Sequence, residues 1–444
     1  MRILMALALV AAGGGSLAAQ TPVQFEHYTL DNGLDVYLVP DRTVPVVTVN
    51  VWYDVGSRSE RSGRSGFAHL FEHMMFQGSA NVGKGEHFQL VERAGGNLNG
   101  STNTDRTNYF ETLPSNRLNL GLWLEADRMR SLAITNENFE NQRETVKEER
   151  RLRVDNQPYA AAFTEGLTSA FDSTTCFAYS HSVIGSMDDL NAATTPDVQE
   201  FFALYYAPNN ATLTVVGDFA ADEVKRLIGQ YFSDIPRGAE PPAPSCQVEF
   251  GAGEQETVWE DALANLPAVL IAYLVPAHED ADSPALSLLQ SILGDGESSR
   301  LNRALVREQQ VALQSGAFLD SRRGPGQFIG FAIANQGQTA DTLVAAIRAV
   351  IAEIADQGIT PDELEKARNG FRTSFVFGRQ TSMGIAESVQ HYKHFHGDVS
   401  EINTDLDRYL AVTAADIQRV ARRYLDPANG TTILVVPKGK GVQP

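Results

Sequence analysis

His69-Leu70-Phe71-Glu72-His73 is the segment of this chain best suited to chemistry. His69 and His73 stand four positions apart, so on a helix their imidazoles project from one face, one turn apart. Both can bind the same zinc ion, each through a ring nitrogen at about 2.0–2.1 Å. Glu72 follows His69 by three residues and lies on the flank of that face, where its carboxylate reaches a metal-activated water and not the metal. This is the arrangement of a metallopeptidase with the H-E-x-x-H order inverted. The chain has 9 His in 444 residues, so the pattern is seldom met by chance. Gly66-Phe67-Ala68 and Met74-Met75-Phe76 flank it, and burying three polar groups in such an apolar segment is costly unless a cation binds them.

A zinc site that does chemistry usually has three protein ligands and one open position. Residues 141–151 read as a charged helix and offer Glu144, Glu148 and Glu149; spacing alone does not choose among them.

The H-x-x-E-H segment, followed by a helix ending in Glu149-Arg150-Arg151, resembles the pitrilysin/insulinase family of inverted zinc peptidases. Gly95-Gly96-Asn97-Leu98-Asn99-Gly100-Ser101-Thr102, with Asp105, Thr107 and Tyr109, is similar to that family's Gly-Gly strand. Ile184-Gly185-Ser186-Met187, Tyr206-Ala207-Pro208-Asn209-Asn210-Ala211 and Ser299-Arg300-Leu301 extend the likeness over essentially the whole mature chain. The resemblance implies that Glu149, 76 residues after His73 (149 − 73), is the third ligand of one Zn2+ per chain, and that Glu72 is the general base. It also implies that the Asn99–Tyr109 segment pairs with an extended peptide and that Asn99 contacts the substrate backbone. The alternative for Asn99 is to satisfy a turn after Gly95-Gly96.

Three positions depart from the family pattern. Gln142 stands where many members have a second Glu, and Phe177-Ala178-Tyr179 replaces an H-P-Y triplet. In the second half Arg307 matches a substrate-gripping Arg, but Gln314 stands where its partner Tyr is expected. Members of this length, such as mitochondrial processing peptidase subunits, are single halves of a clam shell. The resemblance therefore implies a dimer, with a second copy or with a non-catalytic relative that supplies the missing pair. The rival readings are a non-catalytic subunit of a larger complex, or a zinc peptidase of unrelated fold. Retention of all four motif residues argues against the first, and the Gly-Gly-Asn segment against the second.

The remaining sequence says what must position these groups. Residues 1–20 combine a basic start, a short apolar run and small-x-small cleavage candidates, and read as a signal peptide. The expected location is therefore the periplasm or the exterior of a bacterium, with no membrane insertion after cleavage. A net charge of −19 argues against nucleic-acid binding. Cys176 and Cys246 are equally readable as a disulfide and as separate thiols. Residues 236–252 begin in a Pro-rich stretch and read as a linker between a catalytic domain (23–235) and a second domain (253–440). Thr194, Asp197, Gln199, Tyr205, Pro208, Asn210 and Thr212 recur at a constant offset of 219 (413 − 194) as Thr413, Asp416, Gln418, Tyr424, Pro427, Asn429 and Thr431. Such an offset marks a duplication. The expected fold is α+β, with two homologous domains, each a sheet with helices on one face, and with no H-x-x-E-H in the second. His391-Tyr392-Lys393-His394-Phe395-His396 invites an accessory-metal reading, since His391 and His394 could share a helix face, but Lys393 and Gly397 favour an exposed helix end, where basic side chains complement the helix dipole.

Overall fold

The computed structural model describes residues 22–438, so the expected signal segment lies outside the described residues. The first sheet has six strands: β1 (Glu26–Thr29), β2 (Asp35–Pro40), β3 (Val46–Tyr53), β4 (Asn97–Thr102), β5 (Thr107–Pro114) and β6 (Ala211–Gly217). Their order is β1-β2-β6-β3-β5-β4, with β4 at one edge. The second sheet has five: β7 (Gln255–Asp261), β8 (Ala268–Val275), β9 (Ala312–Asp320), β10 (Gly326–Ala334) and β11 (Gly430–Pro437). They run β7-β11-β8-β10-β9, which repeats the β2-β6-β3-β5-β4 part of the first sheet. Residues 233–254, between the two, contain neither helix nor strand.

The repeated residues do the same work in both halves. Thr194 with Asp197, and Thr413 with Asp416, each close a capping box at a helix start. The Asn210 and Asn429 side-chain amides donate to the carbonyls of Tyr205 and Tyr424, both at 2.8 Å. Thr212 pairs in parallel with Asp35, and Thr431 with Gln255. Duplicated sequence here means duplicated register.

Each half's own helices line one face of its sheet. In β3, alternate residues Val47, Val49, Val51 and Tyr53 enter that core, as a period of two requires. The opposite face is covered by the other half. The Ser382–His391 helix, from the second half, packs Ala386 and Val389 on Tyr37, Val39 and Val216 of the first sheet. In return Ala162 and Leu167 of the first half sit on Leu270, Ala272 and Ile433 of the second. We call the Ser382–His391 helix the strap. Beneath it Thr48 and Asn50 are fully buried although polar. Glu387 of the strap accepts from Asn50 Nδ2 (2.7 Å) and Asn108 Nδ2 (2.9 Å), and Gln390 donates to the Thr212 carbonyl (2.8 Å).

The halves also meet around Asp105. Asp105 accepts from the Tyr179 hydroxyl (2.9 Å) and from the Arg323 amide (3.0 Å), and the Gly324 amide donates to the same hydroxyl (2.9 Å). Tyr179 thus gives the Phe177-Ala178-Tyr179 triplet a connecting role. Cys176 and Cys246 form a disulfide, which ties the linker to the first half. Closing a loop of 70 residues this way is worth about 4 kcal/mol in the chain-entropy account.

Two unpaired buried amide donors cost about 1–3 kcal/mol each. Glu387→Ala is expected to lower unfolding stability by about 2–4 kcal/mol in denaturant titration, while Glu387→Gln, which keeps an acceptor, loses less. An unchanged midpoint for the Ala variant would show that the strap is not held by these bonds.

Candidate metal centre

The motif occupies a short helix, Phe67–Met74. Phe67, Leu70, Phe71 and Met74 are buried on its inner side, which leaves His69, Glu72 and His73 on the outer side. An eight-residue helix is marginal alone, and its first amides lack intrahelical partners. The fully buried Glu60 supplies them: its carboxylate accepts from Gly66 N and Ala68 N, both at 2.8 Å. A carboxylate at this end also complements the helix dipole. His181 Nε2 bonds the same carboxylate at 3.1 Å. Burial raises the Glu60 pKa, while the bonds from His181 and the two amides oppose that rise.

Gly66 enters the helix at φ 89°, and a Cβ there would lie 2.8 Å from the Ile184 carbonyl. Gly185 packs against it from the other side at φ 76°, where a Cβ would meet Gly66 Cα at 2.5 Å. Ile184-Gly185 is therefore the loop that backs the motif helix. The same loop holds the ligand helix, Asn136–Arg150, because Arg150 Nη1 donates to the Gly185 carbonyl at 2.7 Å. Glu149, one residue before, is thereby aimed at the motif.

The Glu149 Oε2 atom lies 3.2 Å from His73 Nε2 and 3.7 Å from His69 Nε2. Tetrahedral ligands at about 2.0–2.1 Å from one ion stand roughly 3.3 Å apart, so this donor set fits zinc. The competing carboxylates point away: Glu149 is 16% exposed, whereas Glu148 and Glu144 are 58% and 56% exposed and pair with Arg151 and Lys147. The His73 bond, aided by nearby positive charge, holds Glu149 below the usual carboxylate range against the opposing effect of burial. Burial and the neighbouring His73 lower His69 to about 4. At neutral pH the pair is thus a carboxylate and a neutral imidazole, the forms that bind a cation.

A cleft of about 840 Å³ opens over the site, lined by His69, Glu72, His73, Glu149 and Asn99. Asn99 lies in β4, not in the turn after Gly95-Gly96, and β4 is an edge strand with Asn97 and Asn99 exposed. Phe318, Asp320 and Arg322 bring the second half into the cleft wall. The structure does not bring Arg307 there: it is half exposed and pairs with Glu297. Gln142 is buried on the ligand helix and donates to Asn141 Oδ1 at 2.8 Å.

Several functional residues escape sequence inspection. Glu60 and His181 are separated by 121 positions, and Arg150 reads only as one more charge on a helix. One expectation is overturned. The His391–His396 stretch is not an exposed helix end, because the strap runs between the halves: the side chains of His394 and His396 are 7% and 5% exposed. His394 packs edge-on to Trp52, while His391 and His396 meet His278.

Residues 35–178 match the family model described as Insulinase (Peptidase family M16), and residues 192–371 match the Peptidase M16 inactive domain. The chain is 32% identical over 428 residues to the zinc protease PqqE of Helicobacter pylori, covering 96% of each. The crystal structure of a protease from Helicobacter pylori superposes with a TM-score of 0.89 at 31% identity, over 94% of this chain and all of that one. The periplasmic protease PqqL of Escherichia coli shares the fold, with a TM-score of 0.74 at 17% identity, over 93% of this chain but 47% of PqqL.

Two outcomes test this geometry. His73→Ala is expected to lose tightly bound zinc at the motif, measured by metal analysis of the folded variant. Gly185→Ala forces a Cβ into Gly66 at positive φ, and is expected to cost about 2 kcal/mol or more of stability and to weaken metal retention.

Proposed function

The chain belongs to the insulinase family, peptidase family M16, and from that premise we propose that it is an exported zinc endopeptidase acting on peptides or small unfolded proteins. The observation that carries this reading is the convergence of His69, His73 and Glu149 beside Glu72, in a cleft bounded by the free edge of β4. A zinc ion held by those three residues supplies Lewis acidity, which activates water and polarises the scissile carbonyl.

The chain's own groups do the rest. An extended peptide adds to β4 by backbone hydrogen bonding, which holds substrate largely whatever its sequence. Asn99, exposed on that strand, contacts the peptide backbone beside the metal ligands. Glu72 takes the proton of the attacking water and returns it to the leaving amine, so that the peptide C–N bond breaks as the new C–O bond forms. Glu60 and Arg150 fix the two helices that carry these groups and touch no substrate.

We also propose that a second half closes the cleft, through self-association or through a non-catalytic relative that offers the Arg–Tyr pair, of which this chain carries Arg307 alone. In support, the chain spans about half of PqqL, so that protein has the length of two such units on one chain. Three features favour a periplasmic or secreted location. They are the N-terminal segment, the Cys176–Cys246 disulfide, and the periplasmic location of PqqL. Among the described residues no helix is long and apolar enough to cross a membrane.

Hydrolysis of a mixed fluorogenic peptide library, with and without a chelator, tests the activity. Glu72→Gln is expected to keep zinc and lose about 10²–10⁴-fold in kcat/KM. Zinc-dependent cleavage that survives in this variant would falsify the role of Glu72. Light scattering is expected to report a dimer, or a monomer inactive until a partner chain is added. A fully active monomer removes the two-half chamber.

A further inference from the structure

Three groups of metal-capable side chains occur among the described residues. One is the centre above. A second, His87 with Glu111 and Glu125, is crossed by the Arg128 guanidinium, which bonds Glu125 and already supplies the cation. The third is His278, His391 and His396, whose ligand atoms all lie within 4.8 Å of one another.

From this third cluster we infer a second transition-metal site, formed by His278, His391 and His396, which clasps the strap to the second sheet. His278 lies between β8 and the Ser283–Gly294 helix, whereas His391 and His396 end the strap region, so the cluster gathers separate segments. Two of the rings are oriented as ligands are. His396 Nδ1 bonds Glu401 Oε2 at 2.8 Å, which leaves a buried Nε2 with no hydrogen-bond partner. His278 Nδ1 bonds Ser321 Oγ at 2.8 Å, which frees its Nε2. A carboxylate or hydroxyl behind a histidine is the usual outer support of a metal-bound imidazole.

The rings of His278 and His391 stand 4.8 Å apart at 89°, and those of His278 and His396 5.1 Å apart at 84°. Edge-on rings with an orphaned nitrogen do not satisfy one another, and a shared cation removes the deficit. An open cavity beside His396, lined also by Glu279, Asp280 and Glu401, gives an entry path and a fourth, non-imidazole position. The nearby Arg408 is already paired, with Asp405 at 3.0 Å and Glu401 at 3.6 Å. Three imidazoles and no thiolate suit Zn2+, with Cu2+ and Ni2+ as competitors, and do not suit Mg2+ or Ca2+.

The consequence is mechanical. The amide of His278 donates to the Arg322 carbonyl at 2.8 Å, and Arg322 lines the catalytic cleft. A metal at this cluster would fix the strap, which roofs the first sheet, to the loop that forms the far wall of the cleft. The inference is independent of whether the chain is a peptidase.

His73→Ala removes the catalytic metal from the count. That full-length variant, equilibrated with zinc and desalted, is expected to retain one equivalent by metal analysis. Its Tm should rise by about 2 °C or more with added zinc. Adding His396→Gln or His278→Gln in that background should abolish both effects while leaving the circular dichroism spectrum unchanged. Absence of zinc from folded His73→Ala overturns the site, as does one equivalent that persists in both double variants. Should both double variants fail to fold, X-ray absorption of zinc-loaded His73→Ala decides: three imidazoles support the site, and a mainly oxygen shell overturns it.

Discussion

The contact between Gly66 and Gly185 is the constraint on which the geometry of the candidate metal centre depends. Two backbones approach closer than any side chain permits, and the approach is fixed by polar groups on both sides: Glu60 on the amides of the motif helix, and Arg150 on the Gly185 carbonyl. One loop therefore sets the separation of the helix that carries two histidines and the helix that carries the carboxylate. A short helix with little intrinsic stability can hold a metal because its first turn is bonded to a buried anion.

A second level of organisation is the exchange of covers between the halves. A duplicated sheet with helices on one face leaves an open face in each copy, and here each copy lends a segment to the other. The two covers differ in chemistry. The first sheet presents Thr48 and Asn50 to the strap, which answers with Ser382 and Glu387, whereas the second sheet presents Leu270 and Ile433 to Ala162 and Leu167. The exchange draws Phe318, Asp320 and Arg322 of the second half into the cleft over the metal ligands. The half that lacks the H-x-x-E-H segment thus lines the same cleft as the candidate metal centre.

Much of this was legible in the sequence, for identifiable reasons. The spacing of His69, Glu72 and His73 is a local property of a helix, so their meeting on one side of it follows from five positions of sequence. The duplication was legible because caps and turns recur at fixed intervals, and Thr194 and Thr413 do cap helices. At His391 to His396 the local signals point to exposure, and the structure buries the side chains of His394 and His396. Exposure depends on what packs from outside the segment, and here the outside partners are Trp52 and His278.

By itself, then, the sequence determined the motif chemistry, the two-copy plan and the family likeness, since each is written in short-range spacing or in a repeat. Spacing alone left Glu144, Glu148 and Glu149 open and the family likeness pointed to Glu149; the tertiary structure is what brings Glu149 to the histidines. All three are carboxylates on one helix, and what separates them is which side of that helix is packed toward the motif, where Arg150 also bonds Gly185. The tertiary structure also decided that the two cysteines pair, that the polar face of β3 is buried, and that Asn99 lies on a free edge. Each of these depends on segments tens to hundreds of residues apart, whose meeting no local pattern encodes.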